Sequence, residues 1–124
     1  MVDIRAKAGQ TDRNAGFSIV ARDGKSPIAI HFARNGHIAH RDANGRDIGI
    51  ARYGAGRCYN IQVTVEIGRQ RYRVLVQDDR LDVVSAENLN FAHPADRFCI
   101  IRLTGPDDRA GAWIVYDAIC AYHV

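Results

Sequence analysis

Residues 60–67 read NIQVTVEI, a pattern that suits an extended chain and not a helix. Ile61, Val63, Val65 and Ile67 fall on one side of such a chain, and Asn60, Gln62, Thr64 and Glu66 on the other. Alternation of period two over eight residues predicts a strand with one face in a core and one face wet. The run RYRVLVQ follows at 71–77 after Gly68-Arg69-Gln70 and places Tyr72, Val74 and Val76 on one side. The two runs are expected to pair as a hairpin.

The same punctuation recurs on both sides of that hairpin. Short apolar and β-branched runs are separated by Asp23-Gly24, Asn35-Gly36, Asn44-Gly45, Gly54-Ala55-Gly56 and Gly105-Pro106-Asp107-Asp108. Asn-Gly and Asp-Gly steps supply the positive φ that tight antiparallel reversals need. GFSIVAR, PIAIHFAR, HIAHR, DIGIARY, RFCIIRL and the closing GAWIVYDAICAYHV then read as further strands, and only VVSAENLNF could hold a helical turn. About nine or ten strands with turns every 8–12 residues predict an all-β, antiparallel β-sandwich or barrel.

A chain of 124 residues, 47% hydrophobic and 25% charged, is expected to form one domain, 1–124, around one core. Seventeen basic against fourteen acidic side chains give a net charge of +3, and the charges are interspersed, as in QDDRLD. Arg52, Arg57, Arg69, Arg71 and Arg73 fall near turns and on alternating strand positions instead of forming a basic stripe, so no nucleic-acid partner is expected. No apolar segment reaches the ~18 residues of a membrane-spanning helix, and the first residues, MVDIRAKAGQTDRN, lack a signal-peptide core, so no membrane partner is expected either. The compartment is left open.

Chemistry-bearing residues are sparse. Cys58, Cys99 and Cys120 are odd in number, lack metal-ligand spacing and sit in apolar runs, where a free Cys is expected as a small buried hydrophobe. His37 and His40 would lie on opposite faces of one strand, which is wrong for a shared metal, and His31, His93 and His123 have no spacing partner. Glycoside hydrolysis needs two carboxyl groups about 5–10 Å apart. Glu66 and Glu87 are the only glutamates, and no acidic pair is spaced along one strand face. The chain is therefore expected to be non-catalytic by itself.

The run from FARNGHIAHRDANG through CYNIQVTVEIGRQRYRVLVQDDRL, followed by DRFCIIRLTGPDDRAGAWIVYDAICAYHV, resembles the concanavalin A-like (laminin G-like) jelly-roll domain over roughly residues 15–124. Cys58-Tyr59-Asn60-Ile61 stands where that family has a WYNI-like strand start, Asp78-Asp79 where it has an Asp-Gly turn, and residues 114–119 where it closes on a Tyr-Val-Asp-Asn-Val-like strand. Cys58 and Ala118 depart from the family letters. The resemblance implies a jelly-roll sandwich, either compact or lacking N-terminal strands of a larger domain. A sheet short of strands exposes an edge, which implies a homo-oligomer or packing on a larger protein.

The resemblance also gives Asp117 candidate roles. It implies a structural calcium ligand or a hydrogen-bond acceptor for a neighbouring loop, with a catalytic acid as a lesser alternative. Asp107, Asp108, Asp42 and Asp47 are the candidate oxygen partners on turns. No other cofactor is expected. By analogy of fold, the chain is read as a non-catalytic carbohydrate-binding or accessory module with a polysaccharide partner. Its candidate ligand-binding residues are the rings of Tyr53, Tyr59, Trp113 and Tyr116, with Arg52 beside them. The alternatives are a fragment of a glycoside hydrolase or polysaccharide lyase, and a protein interaction or assembly module using exposed sheet edges.

Overall fold

A computed structural model describes residues 1–12, 14–106 and 111–121. They form ten strands and no helix: β1 Val2–Ala8, β2 Ala15–Ala21, β3 Ile28–Phe32, β4 His37–Arg41, β5 Asp47–Arg52, β6 Cys58–Glu66, β7 Arg71–Asp78, β8 Val83–Asn90, β9 Phe98–Thr104 and β10 Ile114–Ala121. One sheet has the order β10-β1-β6-β7-β8 and the other β5-β4-β3-β2-β9. All the pairings are antiparallel, so the all-β sandwich expected from the alternation is what forms. The first strand pairs with the last in one sheet, and the second with the ninth in the other. Tyr116 of β10 reaches across to carbonyls of β2 and β9, while β5 touches β8, so β9 lies over β10 and β5 over β8.

The core fills the space between the sheets. Ile4, Ile61 and Val74 from one sheet meet Phe17, Ile30 and Ile38 from the other, each at most 1% exposed. Burying side chains of this size stabilises by about 1.5–3 kcal/mol apiece. The alternation in NIQVTVEI holds as far as Val65: Ile61 and Val63 are fully buried and Val74 and Val76 oppose Val63 and Ile61 across the hairpin, whereas Ile67 lies beyond β6 and is 41% exposed. β1 was not expected as a strand. Its Asp3, Arg5 and Lys7 look polar in sequence, yet Val2, Ile4, Ala6 and Ala8 between them are all buried.

Four hairpin turns share one geometry. At 42–46, Asp42 N–H donates to the Arg46 carbonyl at 2.9 Å, Gly45 N–H donates to the Asp42 carbonyl at 3.1 Å, and Gly45 takes φ +78°. Asp42 Oδ1 accepts the Asn44 and Arg46 amides at 2.9 Å each, which braces the turn. The backbone pattern recurs at 21–25, 33–37 and 78–82, and the side-chain one at 78–82, where Asp78 Oδ1 accepts the Arg80 and Asp82 amides. In the last of these the left-handed position is held by Leu81, at φ +68°.

The C-terminal third departs from the sequence reading. Residues 83–90 form β8, not a helical turn, because Val83, Val84 and Ala86 pair with β7. β9 and β10 are edge strands, leaving Ile100, Leu103, Val115 and Ile119 at 42–55% exposure. Cys58, Cys99 and Cys120 are free and exposed, not buried as expected. Cys99 and Cys120 lie on those edges, and Cys58 opens β6 with an exposed side chain.

Candidate functional site

The outer face of the β5-β4-β3-β2-β9 sheet carries a groove enclosing about 770 Å³, within the ordinary range of ligand sites. Small residues make its floor. Gly16 and Ser18 of β2 pair with His31 and Ala29 of β3 on one side, and with Thr104 and Arg102 of β9 on the other. A Cβ on Gly16 would strike the Ile30 carbonyl oxygen and come within 2.9 Å of His31 Cδ2, so the floor must be glycine there.

Two loops raise the walls. The β4–β5 turn contributes Asp42 and Asn44, and the segment after β8 contributes Ala92 and His93. That segment is held in place from both sheets. Ala92 N–H donates to the Pro27 carbonyl at 2.8 Å, and Gln70 clamps Ala95 by donating Nε2 to its carbonyl at 2.7 Å and accepting its amide at 2.8 Å.

Charge is unevenly placed along the groove. Asp47 Oδ1 lies 3.1 Å from His31 Nδ1 and accepts from Arg41 Nε at 3.4 Å, while Arg41 Nη2 lies 3.2 Å from the same His31 nitrogen. A single Nδ1 cannot serve both neighbours: protonated it donates to Asp47, unprotonated it accepts from Arg41. Burial lowers the His31 pKa from its ordinary range; Asp47 opposes the shift and Arg41 adds to it. The ring is thus neutral at neutral pH, and its tautomer decides which partner it holds. Asp42 is committed to its turn amides. Arg102, on the opposite wall, has no ion pair among the described residues and is exposed.

None of the five residues expected to bind ligand lines this groove. Tyr53 and Tyr59 are 6% and 3% exposed, so their rings are part of the core. They pack edge-to-face on Phe32, with centroids 4.9 and 6.1 Å away. The Tyr53 hydroxyl donates to the Ala33 carbonyl, and the Tyr59 hydroxyl accepts the Gly54 amide. Burial, with Asp12 and Tyr59 nearby, pushes the Tyr53 pKa up to about 12. Tyr116 is half-buried, and its hydroxyl sits 2.5 Å from the Gly16 carbonyl and 2.9 Å from that of Thr104, beneath the groove. Arg52 is exposed on edge strand β5, opposite His37.

Trp113 is 42% exposed and lies over Gly9 at the end of β1 and β10. Gln10 holds it there by donating to its carbonyl at 3.0 Å and accepting its amide at 2.8 Å. Asp117 is exposed on edge strand β10 as the cross-strand partner of Arg5. Asp42 and Asp47 lie toward the opposite side of the sandwich, and Asp107 and Asp108 lie outside the described residues, as does His123. Among the described residues no three His, Cys, Asp or Glu side chains gather as a metal site would need. His37 and His40 do face opposite ways: His40 is buried against Tyr72, and His37 packs beside Gly49 on the outer face.

No family model and no curated protein matches this sequence. A solved structure does. A sialidase chain superposes with a TM-score of 0.67 at 17% identity, over 84% of this chain. The chain spans 9% of that sialidase's length. At this identity the likeness speaks for the two-sheet fold, which recurs as a small part of a much larger protein.

The groove escaped the sequence reading because its residues come from four strands and four loops. Only the β2–β9 pairing, more than eighty residues apart in sequence, brings Arg102 to Ser18. A faint signal was available: Gly16, Ser18, Ala29 and His31 occupy the outward positions of two adjacent strands, where long polar side chains would be ordinary.

Proposed function

We propose that this chain is a non-catalytic carbohydrate-binding or accessory module of jelly-roll type, and that its ligand lies in the groove over Gly16, Ser18 and Ala29. The observation that carries the reading is the groove's make-up: a floor of small residues flat enough for a sugar ring, flanked by His31, Arg41, Asn44 and Arg102 as hydrogen-bonding groups. The nested pairing of β1 with β10 and β2 with β9 supports the jelly-roll description. The sialidase likeness is compatible with a carbohydrate-related role. The carboxylates at the groove already have structural work, Asp42 in its turn and Asp47 with His31 and Arg41, which supports binding over hydrolysis.

Thermal unfolding against a panel of soluble polysaccharides tests this reading, because a ligand that binds only the folded chain raises the midpoint by mass action. A polysaccharide-specific rise is the expected result; no rise with any of them contradicts it. Calcium and EDTA arms of the same experiment test Asp117 as a metal ligand, with a calcium-dependent rise as the supporting result.

An assembly role is the second reading. Ile100 and Leu103 on β9, with Val115 and Ile119 on β10, leave two neighbouring apolar edges in water, and such edges are usually covered. Sedimentation of the purified chain tests this reading. A self-associating species supports it, and a monomer at all concentrations contradicts self-assembly through these edges.

A further inference from the structure

We infer that the groove selects a carboxylate-bearing saccharide, a uronate or sialate residue, by seating its carboxylate on Arg102. The inference rests on the carbohydrate reading above and adds the ligand's charge and orientation.

The charged residues lining the groove are Arg41 and Asp42 at the β4–β5 end and Arg102 at the β9 end, with His31 between them, His93 on the loop, and Asp47 behind His31 and Arg41. At the β4–β5 end the one cation is paired and the two carboxylates outnumber it. Asp47 holds His31 and Arg41, and Asp42 holds the amides of Asn44 and Arg46. At the β9 end Arg102 has no ion pair among the described residues. The groove therefore presents one uncompensated cation at one end and a carboxylate-bearing turn at the other. An anionic group is attracted to the first and repelled by the second, which fixes the direction in which an acidic sugar lies.

Guanidinium suits this task. Its planar fork matches a carboxylate with two parallel N–H···O bonds, whereas a neutral hydroxyl uses only one. Arg102 also projects from β9 directly beside Ser18, its cross-strand partner on the floor. A ring lying over Ser18 and Ala29 would bring a C5 or C1 carboxylate to that side and its hydroxyls toward His31 and Asn44.

Calorimetric titration of the whole chain with oligogalacturonate and oligosialate tests the proposal, each beside its methyl ester, which keeps the sugar and removes the charge. Heparin-derived oligosaccharides serve as the sulfated arm. The expected result is binding of at least one carboxylate form, weakened about ten- to a hundredfold both by esterification and by Arg102→Gln. Arg102 is exposed on an edge strand, so the variant is expected to fold, and its unfolding midpoint checks this.

Equal affinity for acid and ester, or no loss in Arg102→Gln, overturns the inference and leaves the carbohydrate reading standing. Tighter binding of the sulfated arm than of any carboxylate form also overturns it. Failure of all charged and neutral saccharides, including the polysaccharide panel, overturns both.

Discussion

Gly16 lies directly beneath the His31 imidazole: a Cβ added to it would come within 2.9 Å of His31 Cδ2 and strike the Ile30 carbonyl oxygen behind it. The floor of the groove and the placement of its half-buried His31 imidazole are thus a single feature. A side chain on β2 would displace backbone and ring together.

Gly16→Ala is expected to destabilise the fold by about 1–3 kcal/mol, since neither the β3 backbone nor a half-buried ring can move away freely. Gly68→Ala is the control, because a Cβ there meets nothing within 4 Å. Denaturant titration of both variants checks this. A fully stable Gly16→Ala would mean that β3 has room to shift.

Leu81 offers the opposite case. It occupies the left-handed position that Gly24, Gly36 and Gly45 hold in the three sister turns, at a cost of roughly 1–2 kcal/mol for an L-residue. Its side chain is 74% exposed, so little packing is lost on removing it. Leu81→Gly is predicted to raise stability by about 1 kcal/mol, offset in part by unfolded-chain entropy. A lowered unfolding midpoint would show that Leu81 contributes contacts absent from the isolated chain.

Stability should fall at both ends of the pH scale. Burial lowers the His31 and His40 pKa values below the unfolded value near 6.5, so the unfolded chain takes up protons first on acidification. Their contribution is complete above pH 6.5 and is lost as pH falls below it. Tyr53 titrates near 12 when folded against about 10 when unfolded, so its contribution is complete below pH 10 and lost as pH rises toward 12. Burial raises Tyr72 and Tyr116 in the same direction. Unfolding free energy measured from pH 5 to 11 checks both limbs, and a flat profile would contradict them.

All three cysteines should react in the native state. Cys58, Cys99 and Cys120 are exposed, so a thiol reagent should modify three groups per chain without denaturant. Modification of none until unfolding would restore the buried placement that their apolar neighbours suggest.

Local pattern carried the strands and did not reach the groove. Strict alternation in β6 and β7, and Asn-Gly or Asp-Gly steps between strands, are short-range signals, and the hairpins they announce are present. β1 was missed because charges occupy its outer face and alanines half of its inner one. Tyr53 and Tyr59 look like solvent-facing rings beside arginines, but aromatic rings next to a turn can close the end of a core equally well, as they do around Phe32. The closing strand reads as buried because its letters are apolar; its place at a sheet edge comes from pairing order, which no local window contains. Asp117 is ordinary once that edge is known.

The most direct measurement is saccharide binding by Ser18→Trp beside the native chain, with the polysaccharide panel and calorimetric readout. Ser18 is half-buried on the groove floor, away from the inter-sheet core, so an indole there should fill the groove and leave the fold intact. Binding by the native chain and none by the folded variant is the predicted result. Undiminished binding by the variant would place the ligand elsewhere on the sandwich and contradict the groove as the functional site.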